Sequence, residues 1–131
     1  MTPLFKKLDC LLLPVPNLEE GLAFYSRKLG HELIWRTEMA AGLRLPDTDA
    51  ELVIHAEFKQ SETDILVDNA DDAATAFEDA GGEIVKEPFD IQIGRCTVVR
   101  DPFGNVLVLL DMSKGKLKVD AESHVIGNEK L

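Results

Sequence analysis

The sequence of 131 residues has few cysteines, few basic residues and no long hydrophobic run. The two cysteines, Cys10 and Cys96, lie far apart and lack the spacing of a redox or metal motif, which is typical of the reducing cytoplasm. Lys and Arg number 14 against 24 Asp and Glu, and the formal charge of −10 disfavours nucleic acid and anionic membrane surfaces as partners. No apolar run reaches the roughly 20 residues of a transmembrane helix. We therefore expect a cytoplasmic protein that binds neither nucleic acid nor membranes.

The composition is that of an ordinary globular protein. Hydrophobic residues make up 45% of the chain and charged residues 29%, and a chain of this length can bury one hydrophobic core. We expect a single domain over residues 1–112, followed by a polar tail over residues 113–131 with little periodicity. Within that tail, an additional edge strand at the stretch KGKLKV is the alternative.

Two stretches of the sequence match at a constant offset of 52 residues. VPNLEEGLAFYSRKLG (residues 15–30) aligns without a gap with VDNADDAATAFEDAGG (residues 67–82). The matched pairs are Val15 and Val67, Asn17 and Asn69, Tyr25 and Phe77, Gly30 and Gly82, and Gly42 and Gly94. Such matches at one offset indicate an internal repeat. We therefore predict two copies of one unit, at about residues 5–58 and 60–112.

Each copy is predicted to fold as a strand, a helix and three further strands. Asn17 and Asn69 stand where the side-chain oxygen of an N-cap accepts a backbone N–H of the first helical turn. Apolar residues then follow at helical spacing until a glycine ends each helix. The helices are expected over residues 17–29 and 69–80, between short apolar strands. The order β-α-β-β-β, twice, predicts the α+β class.

Alternation along the last strand of the first copy, ELVIHAEF, separates two faces of the predicted sheet. The face expected to pack against the helix carries Leu52, Ile54, Ala56 and Phe58. The opposite face carries Glu51, Val53, His55 and Glu57. On the next strand, Glu62, Asp64 and Leu66 share a face, so a concave sheet would collect His55, Glu62 and Asp64 in one place. The alternative is a solvated acidic face with a structural histidine.

This arrangement resembles the vicinal oxygen chelate superfamily, which contains glyoxalase I, extradiol dioxygenases, methylmalonyl-CoA epimerase and the fosfomycin and bleomycin resistance proteins. The resemblance rests on the duplicated order of elements, on VPNLEEGLAFYSRKLG in the first copy and on DPFGN before the last strand, and it covers about residues 7–112. It implies two tandem βαβββ units that form curved mixed sheets around a cavity. It does not imply one activity, because this scaffold hosts unrelated chemistries.

The resemblance also implies four positions for metal ligands. In the metal-using members, the first and last strands of each unit supply the ligands, typically His and Glu. Carried onto this chain, these positions are Cys10, His55, Glu62 and Val108. Val108 offers no donor atom, so we expect no tightly bound metal ion and no other cofactor. The alternative is one divalent metal ion held by Cys10, His55 and Glu62, a three-ligand set that leaves a position open for substrate.

Other residues are expected to line the cavity. Trp35 is the only tryptophan, and its ring could stack on a flat ligand, with core packing as the alternative. Arg95 could pair with a carboxylate of the ligand or with acidic neighbours. The complete predicted lining is Cys10, Leu12, Trp35, Val53, His55, Glu62, Asp64, Arg95 and Val108.

Two classes of function follow from this lining, and the sequence leaves open whether the protein is an enzyme. In the first, an apolar cleft binds or sequesters a small organic ligand, as bleomycin resistance proteins do. In the second, the protein is a metal-dependent lyase, isomerase or dioxygenase that uses Cys10, His55 and Glu62, or a metal-free acid–base catalyst that uses His55 and Glu62. We also expect a homodimer, because two four-stranded sheets need more cover than two helices give.

Overall fold

A computed structural model of the protein describes residues 2–130 and shows two compact units. The first unit comprises Asp9–Glu62 and Leu117–Gly127. The second comprises Thr63–Lys116, together with the residues up to Leu8 and those from Asn128 onward. Each unit contains one helical element and a four-stranded mixed sheet, so the fold belongs to the α+β class, as the sequence predicts. Within residues 2–130, no helix has the length and apolar character needed to cross a membrane.

The first unit is built around a mixed sheet. Its elements are β1 (Lys7–Pro14), α1 (Leu18–Leu22), β2 (Leu33–Arg36), β3 (Ala40–Arg44) and β4 (Glu51–His55). The strand order is β2-β3-β4-β1. Strand β1 pairs with β4 in parallel, whereas β3 is antiparallel to both β2 and β4.

Helix α1 begins where the sequence predicts. The side-chain oxygen of Asn17 accepts the backbone N–H of Glu20 over 2.9 Å and so caps the first helical turn. The Asn17 amide also donates to the Glu20 carboxylate over 2.7 Å, which holds the capping side chain in place. The helix continues as a π-helical segment, Ala23–Lys28, and the chain then turns at Gly30 with a φ of +86°. Glycine adopts this backbone conformation without a steric penalty. The helix predicted over residues 17–29 is confirmed, and its second half has the wider turns of a π-helix.

The core of the first unit lies between α1 and one face of its sheet. Its buried members are Leu18, Leu22, Ala41, Leu43, Leu52 and Ile54. The helix approaches β4 closely at Gly21, where an added β-carbon would lie 2.8 Å from Cδ1 of Ile54. A larger residue at this position would push the helix away from the sheet, so a small side chain is required for the core to close.

The second unit has the same order of elements. They are β5 (Glu62–Leu66), α2 (Ala70–Asp79), β6 (Glu83–Ile91), β7 (Gly94–Arg100) and β8 (Val106–Leu110), with the strand order β6-β7-β8-β5. Strand β5 pairs with β8 in parallel, and β7 is antiparallel to β6 and β8.

Helix α2 confirms the helix predicted over residues 69–80. The side chain of Asn69 accepts the backbone N–H of Asp72 over 2.9 Å. Ala70, Ala73 and Ala74 are buried, so small side chains bring the helix close to its sheet. The core on that side is formed by Val67, Ala73, Val99 and Leu109.

The segment predicted as a polar tail contains two further strands. Strands β9 (Lys116–Val119) and β10 (Val125–Glu129) pair with each other. In the turn between them, the Asp120 carboxylate accepts the backbone N–H groups of Glu122 and His124, each over 2.9 Å. The carbonyl of Ser123 then accepts the backbone N–H of Arg36, at the end of β2, over 2.7 Å. The alternative of a strand at KGKLKV is therefore confirmed as β9. The turn that follows this strand belongs to the first unit.

The predicted orientation of Phe58 is wrong. Strand β4 ends at His55, so the alternation that placed Phe58 toward the helix does not continue to that residue. Its side chain is 61% exposed, and its ring centroid lies 5.6 Å from that of His55. The bend after His55 turns Phe58 back onto the histidine.

Candidate functional site

The sheet face of the first unit that lies opposite α1 carries the polar residues singled out in the sequence. The register pairs Cys10 with Glu51 and Leu12 with Val53 across β1 and β4, and it pairs Val53 with Gly42 of β3. Directly paired residues project to the same side of a sheet. The core residues Leu52 and Ile54 project to the other side, toward α1. We call this surface the His55 face; it is formed by Cys10, Leu12, Trp35, Glu51, Val53 and His55.

Trp35 lies on the His55 face because a glycine leaves room for its ring. Trp35 of β2 is opposite Gly42 of β3, and a β-carbon added at Gly42 would lie only 2.0 Å from Nε1 of the indole. The indole N–H donates to Oε1 of Glu51 over 2.7 Å. The ring therefore packs over Gly42, with its polar edge satisfied. From the sequence, Gly42 is recognised only as a match to Gly94, and nothing indicates which ring it accommodates.

Glu51 is the acidic residue of the His55 face. Burial raises the pKa of its carboxyl. The hydrogen bond from Trp35 offsets part of this increase, and the nearby charge of Asp9 raises the pKa further. Such a carboxyl keeps its proton to a higher pH than an exposed glutamate. It can accept a hydrogen bond from a ligand when ionised, and it can donate one when protonated.

His55 is the most buried polar residue of this face, with 3% of its surface exposed. Its Nδ1 accepts the backbone N–H of Phe58 over 3.3 Å. Its Nε2 is buried and has no hydrogen-bond partner among residues 2–130. An unpaired buried polar group costs about 1–3 kcal/mol, so native proteins rarely leave one without a role. The unsatisfied Nε2 therefore marks this face as a place where a ligand atom can be received.

The residues of the first unit do not fit the three-ligand metal site that the resemblance implies. Within the described part of the chain, neither His55 nor Glu62 belongs to any group of three His, Cys, Asp or Glu side chains whose ligand atoms lie within 4.8 Å of one another. Glu62 is half-buried at the start of β5. The ligand atoms of Cys10, His55 and Glu62 are thus not assembled around one point, so these three residues do not form a site for a divalent ion.

In the second unit, the sheet face opposite α2 is mainly aliphatic. It is built on the buried residues Cys96, Val108 and Leu110, with Leu66, Phe89, Ile91, Ile93 and Val98 packed against them. Asp64 is paired with Val108 in the register of β5 and β8, and it is 7% exposed. Asp64 and Val108 therefore share one face of this unit. That the predicted lining residues of the two units belong to one cavity stays a prediction.

Arg95 does not share the face of Val108. Alternation along β7 places it on the side of Val99, which packs in the core beneath α2. Its guanidinium pairs with Asp71 over 3.0 Å and with Asp90 over 3.2 Å, and its pKa is raised first by the hydrogen bonds that it donates to Asp71. Of the two roles that the sequence leaves open for Arg95, the structure shows the pairing with acidic neighbours.

Asp111 is a buried polar residue that sequence reasoning missed. It is 2% exposed, and its carboxylate accepts the backbone N–H groups of Ala70 and Arg95 over 2.8 and 2.9 Å and the Ser113 hydroxyl over 2.7 Å. Burial alone would raise its pKa, but these hydrogen bonds outweigh burial and lower it. Asp111 thus ties the start of α2 to β7. An aspartate directly after an apolar strand was the only available signal.

Comparisons with known proteins identify a family model and solved structures that are similar to this chain. A model of the Glyoxalase/Bleomycin resistance protein/Dioxygenase superfamily matches residues 7–109. The methylmalonyl-CoA epimerase of Mycobacterium tuberculosis is similar in structure, with a TM-score of 0.72 and 17% identity over 86% of this chain and 92% of that one. That of Streptomyces coelicolor has a TM-score of 0.68 and 18% identity over 83% and 99% of the two chains.

A dioxygenase is similar over part of its length. Homoprotocatechuate 2,3-dioxygenase from Brevibacterium fuscum has a TM-score of 0.62 and 23% identity over 84% of this chain but only 37% of that one. No curated protein matches the sequence significantly. At these identities, the structural likeness shows the fold and leaves the chemistry to the residues of the site.

Proposed function

The chain belongs to the glyoxalase/bleomycin resistance protein/dioxygenase superfamily, and we propose that it binds a small organic molecule on the His55 face without the help of a metal ion. One observation carries the proposal. His55 is buried, yet its Nε2 has no partner among residues 2–130. The ring of Trp35 and the side chains of Leu12 and Val53 supply the apolar contact that such ligands need.

A second candidate function is metal-free acid–base catalysis on the same face. It is favoured by the raised pKa of Glu51, because a carboxyl that keeps its proton to higher pH is better matched to proton transfer near neutral pH. Glu51 replaces Glu62 in this role, since it shares the face with His55. The epimerase and dioxygenase activities named for the similar structures belong to those proteins.

The binding proposal is tested with 2-acetonaphthone, a flat aromatic ketone, added to protein labelled in its methyl groups. We expect saturable shifts of the Leu12 and Val53 resonances. Val85 and Ile126, which are 45% and 59% exposed, serve as internal controls and should not move. Equal shifts at all four residues would indicate nonspecific adsorption and would contradict the proposal.

A variant comparison sharpens this test. His55→Leu keeps a side chain of similar width and removes the ring nitrogens, so it should weaken binding by about tenfold, the effect of one lost hydrogen bond of about 1.4 kcal/mol. Val85→Leu, a matched change on the exposed part of β6, should leave the affinity unchanged. Equal affinity of the His55→Leu variant and the wild type would remove His55 from the site.

We further propose that the protein is a cytoplasmic homodimer. Large apolar side chains remain exposed on the chain, among them Phe24 at 49% and Phe103 at 87%, and twofold dimers are the commonest way to cover such surface. Sedimentation equilibrium at micromolar concentration should give twice the mass of 14.5 kDa. A single species of monomer mass would contradict the dimer and leave the binding proposal standing.

A further inference from the structure

We infer that His55 is held in one neutral tautomer, with its proton on Nε2, and that it therefore selects an uncharged ligand that presents an oxygen acceptor such as a carbonyl. This inference rests on the proposed function and names the ligand chemistry of the same site. The assignment comes from the bend after β4, which aims a backbone N–H at the imidazole.

The tautomer follows from the partner of Nδ1. A backbone N–H can only donate a hydrogen bond, so the Phe58 N–H at 3.3 Å requires a lone pair on Nδ1. A neutral imidazole carries one proton, and that proton is then on Nε2. Moving it to Nδ1 would place two donors opposite each other.

The consequence is that the buried end of His55 is a hydrogen-bond donor. Nε2 is buried and has no partner among residues 2–130, so it lacks an acceptor that the oxygen atom of a ligand reaching this point would supply. A metal ion or an ammonium group would need a lone pair or a negative charge at this point, and the Nε2–H tautomer supplies neither. The position that metal-using relatives give to a ligand is thus a donor position in this chain.

Charge favours a neutral acceptor over a carboxylate. Glu51 lies four residues before His55 on the same face of β4, and the chain has a net charge of −10. The surface between them is apolar, with Leu12 and Val53 paired in the register. A ligand that lies along this strand therefore has a flat apolar body and a carbonyl oxygen at its His55 end.

The first measurement needs no ligand. In 15N-labelled protein near neutral pH, the His55 ring should show an unprotonated Nδ1 and a protonated Nε2. The resonances are assigned by their loss in His55→Leu, because His31 and His124 also contribute signals. A proton on Nδ1, or a ring that averages both tautomers, would overturn the inference.

Two variants at Phe58 separate the backbone N–H from the ring. Phe58→Pro removes the N–H, and the proton should then distribute over both nitrogens and weaken ketone binding by about twofold, since about half of the molecules carry the competent tautomer. Phe58→Ala keeps the N–H and removes the ring contact, so its tautomer should be that of the wild type. A mixed tautomer in Phe58→Ala would show that the ring sets the proton's position and would overturn the inference. If Phe58→Pro fails to fold, the wild-type spectrum and the spectrum of Phe58→Ala still test whether the backbone N–H sets the tautomer of His55.

Matched naphthalene ligands test the chemistry of the selected group. We expect 2-acetonaphthone to shift the Nε2–H resonance, 2-naphthoate to bind more weakly, and 2-naphthylmethylamine to leave that resonance unchanged. Tighter binding of the amine or of the carboxylate would overturn the preference for a neutral acceptor. Shifts of the Leu12 and Val53 methyls without a change at Nε2–H would overturn this inference while the proposed function stands. A confirmed tautomer without methyl shifts from any of the three would sink the proposed function instead.

Discussion

Gly42 and Gly94 occupy the third strand of the first and the second unit, 52 residues apart, but the space beside them is used differently. Beside Gly42 lies the indole of Trp35, which reaches Glu51 on the His55 face. Beside Gly94 lies Asp111, whose oxygens a new β-carbon would approach to 2.3 and 2.4 Å. One glycine makes room for a ring on a candidate binding face, and the other makes room for a carboxylate that holds a helix.

The same contrast extends to the two sheet faces that point away from the helices. In the first unit this face carries a donor on His55 and a carboxyl on Glu51. In the second unit it is built mainly from aliphatic side chains around Val108 and Leu110. The same order of elements therefore carries polar groups on this face in one unit and mainly aliphatic packing in the other, and the difference lies in a few side chains.

The largest expected effect is at Asp111. Asp111→Ala should lower the free energy of unfolding by about 3 kcal/mol, because it leaves buried N–H groups of α2 and β7 without an acceptor. Urea denaturation measures the change. Asp90→Ala removes a carboxylate that also pairs with Arg95, but in an exposed position, and should leave the stability nearly unchanged. Equal losses of unfolding free energy in both variants would contradict the expected difference between the buried and the exposed carboxylate.

The next effect is at Gly94. Gly94→Ala should destabilise the protein by about 2–3 kcal/mol, because the added β-carbon meets the backbone of Asp111 as well as its carboxylate and neither can move far. Thermal and urea unfolding of the variant measure the loss. A stability equal to that of the wild type would show that the close approach at Gly94 is relieved without strain.

Gly42→Ala is the matched change in the first unit and should cost less, about 1 kcal/mol, because the obstructing atoms belong to the side chain of Trp35. The displaced ring loses its hydrogen bond to Glu51, so the fluorescence of the only tryptophan should change and the affinity for 2-acetonaphthone should fall. A variant with less stability but unchanged fluorescence would contradict this account of how the ring is held.

The smallest effect is the pH dependence, which should have opposite signs for the two carboxyl groups. The pKa of Asp111 is lowered in the folded protein, so its contribution is present above the ordinary carboxyl pKa and is lost as the pH falls through the lowered value. The pKa of Glu51 is raised from 4.5, so its contribution is present below that value and is lost as the pH rises through the raised one.

Two substitutions isolate these contributions. Asp111→Asn should flatten the acid side of the stability profile, and Glu51→Gln should remove the decline above the ordinary glutamate pKa while its amide oxygen still accepts the Trp35 N–H. Urea denaturation repeated from acidic to neutral pH measures both. The same change of slope in the two variants would show that the units do not differ in this respect.

Much of the fold could be predicted from the sequence because its signals are local. The N-caps at Asn17 and Asn69 and the short apolar strands depend on residues that are neighbours along the chain. The side on which Val53 and His55 lie follows from the two-residue period of a strand. The same rule failed at Phe58, because the period applies only while the strand continues.

Contacts between distant segments could not be predicted in this way. Arg95 could have pointed toward a ligand or toward acidic neighbours, and its position on the α2 side of β7 determined that Asp71 and Asp90 are its partners. The role of Asp111 depends on Ala70, which lies 41 residues away in the sequence. The turn after KGKLKV meets Arg36 of the first unit, which no periodicity in the tail indicates.

The sequence by itself determined the α+β class, the order of the elements and the face of β4 that carries His55, since capping, hydrophobic spacing and strand alternation act over a few residues. Only the tertiary structure decided that the Phe58 N–H meets Nδ1 of His55, that Gly42 accommodates Trp35 and that Gly94 accommodates Asp111. These contacts depend on where each strand ends and on which strand becomes its neighbour. A hydrogen bond or a close packing contact acts only within a few ångströms, so its partners are set by the folded chain.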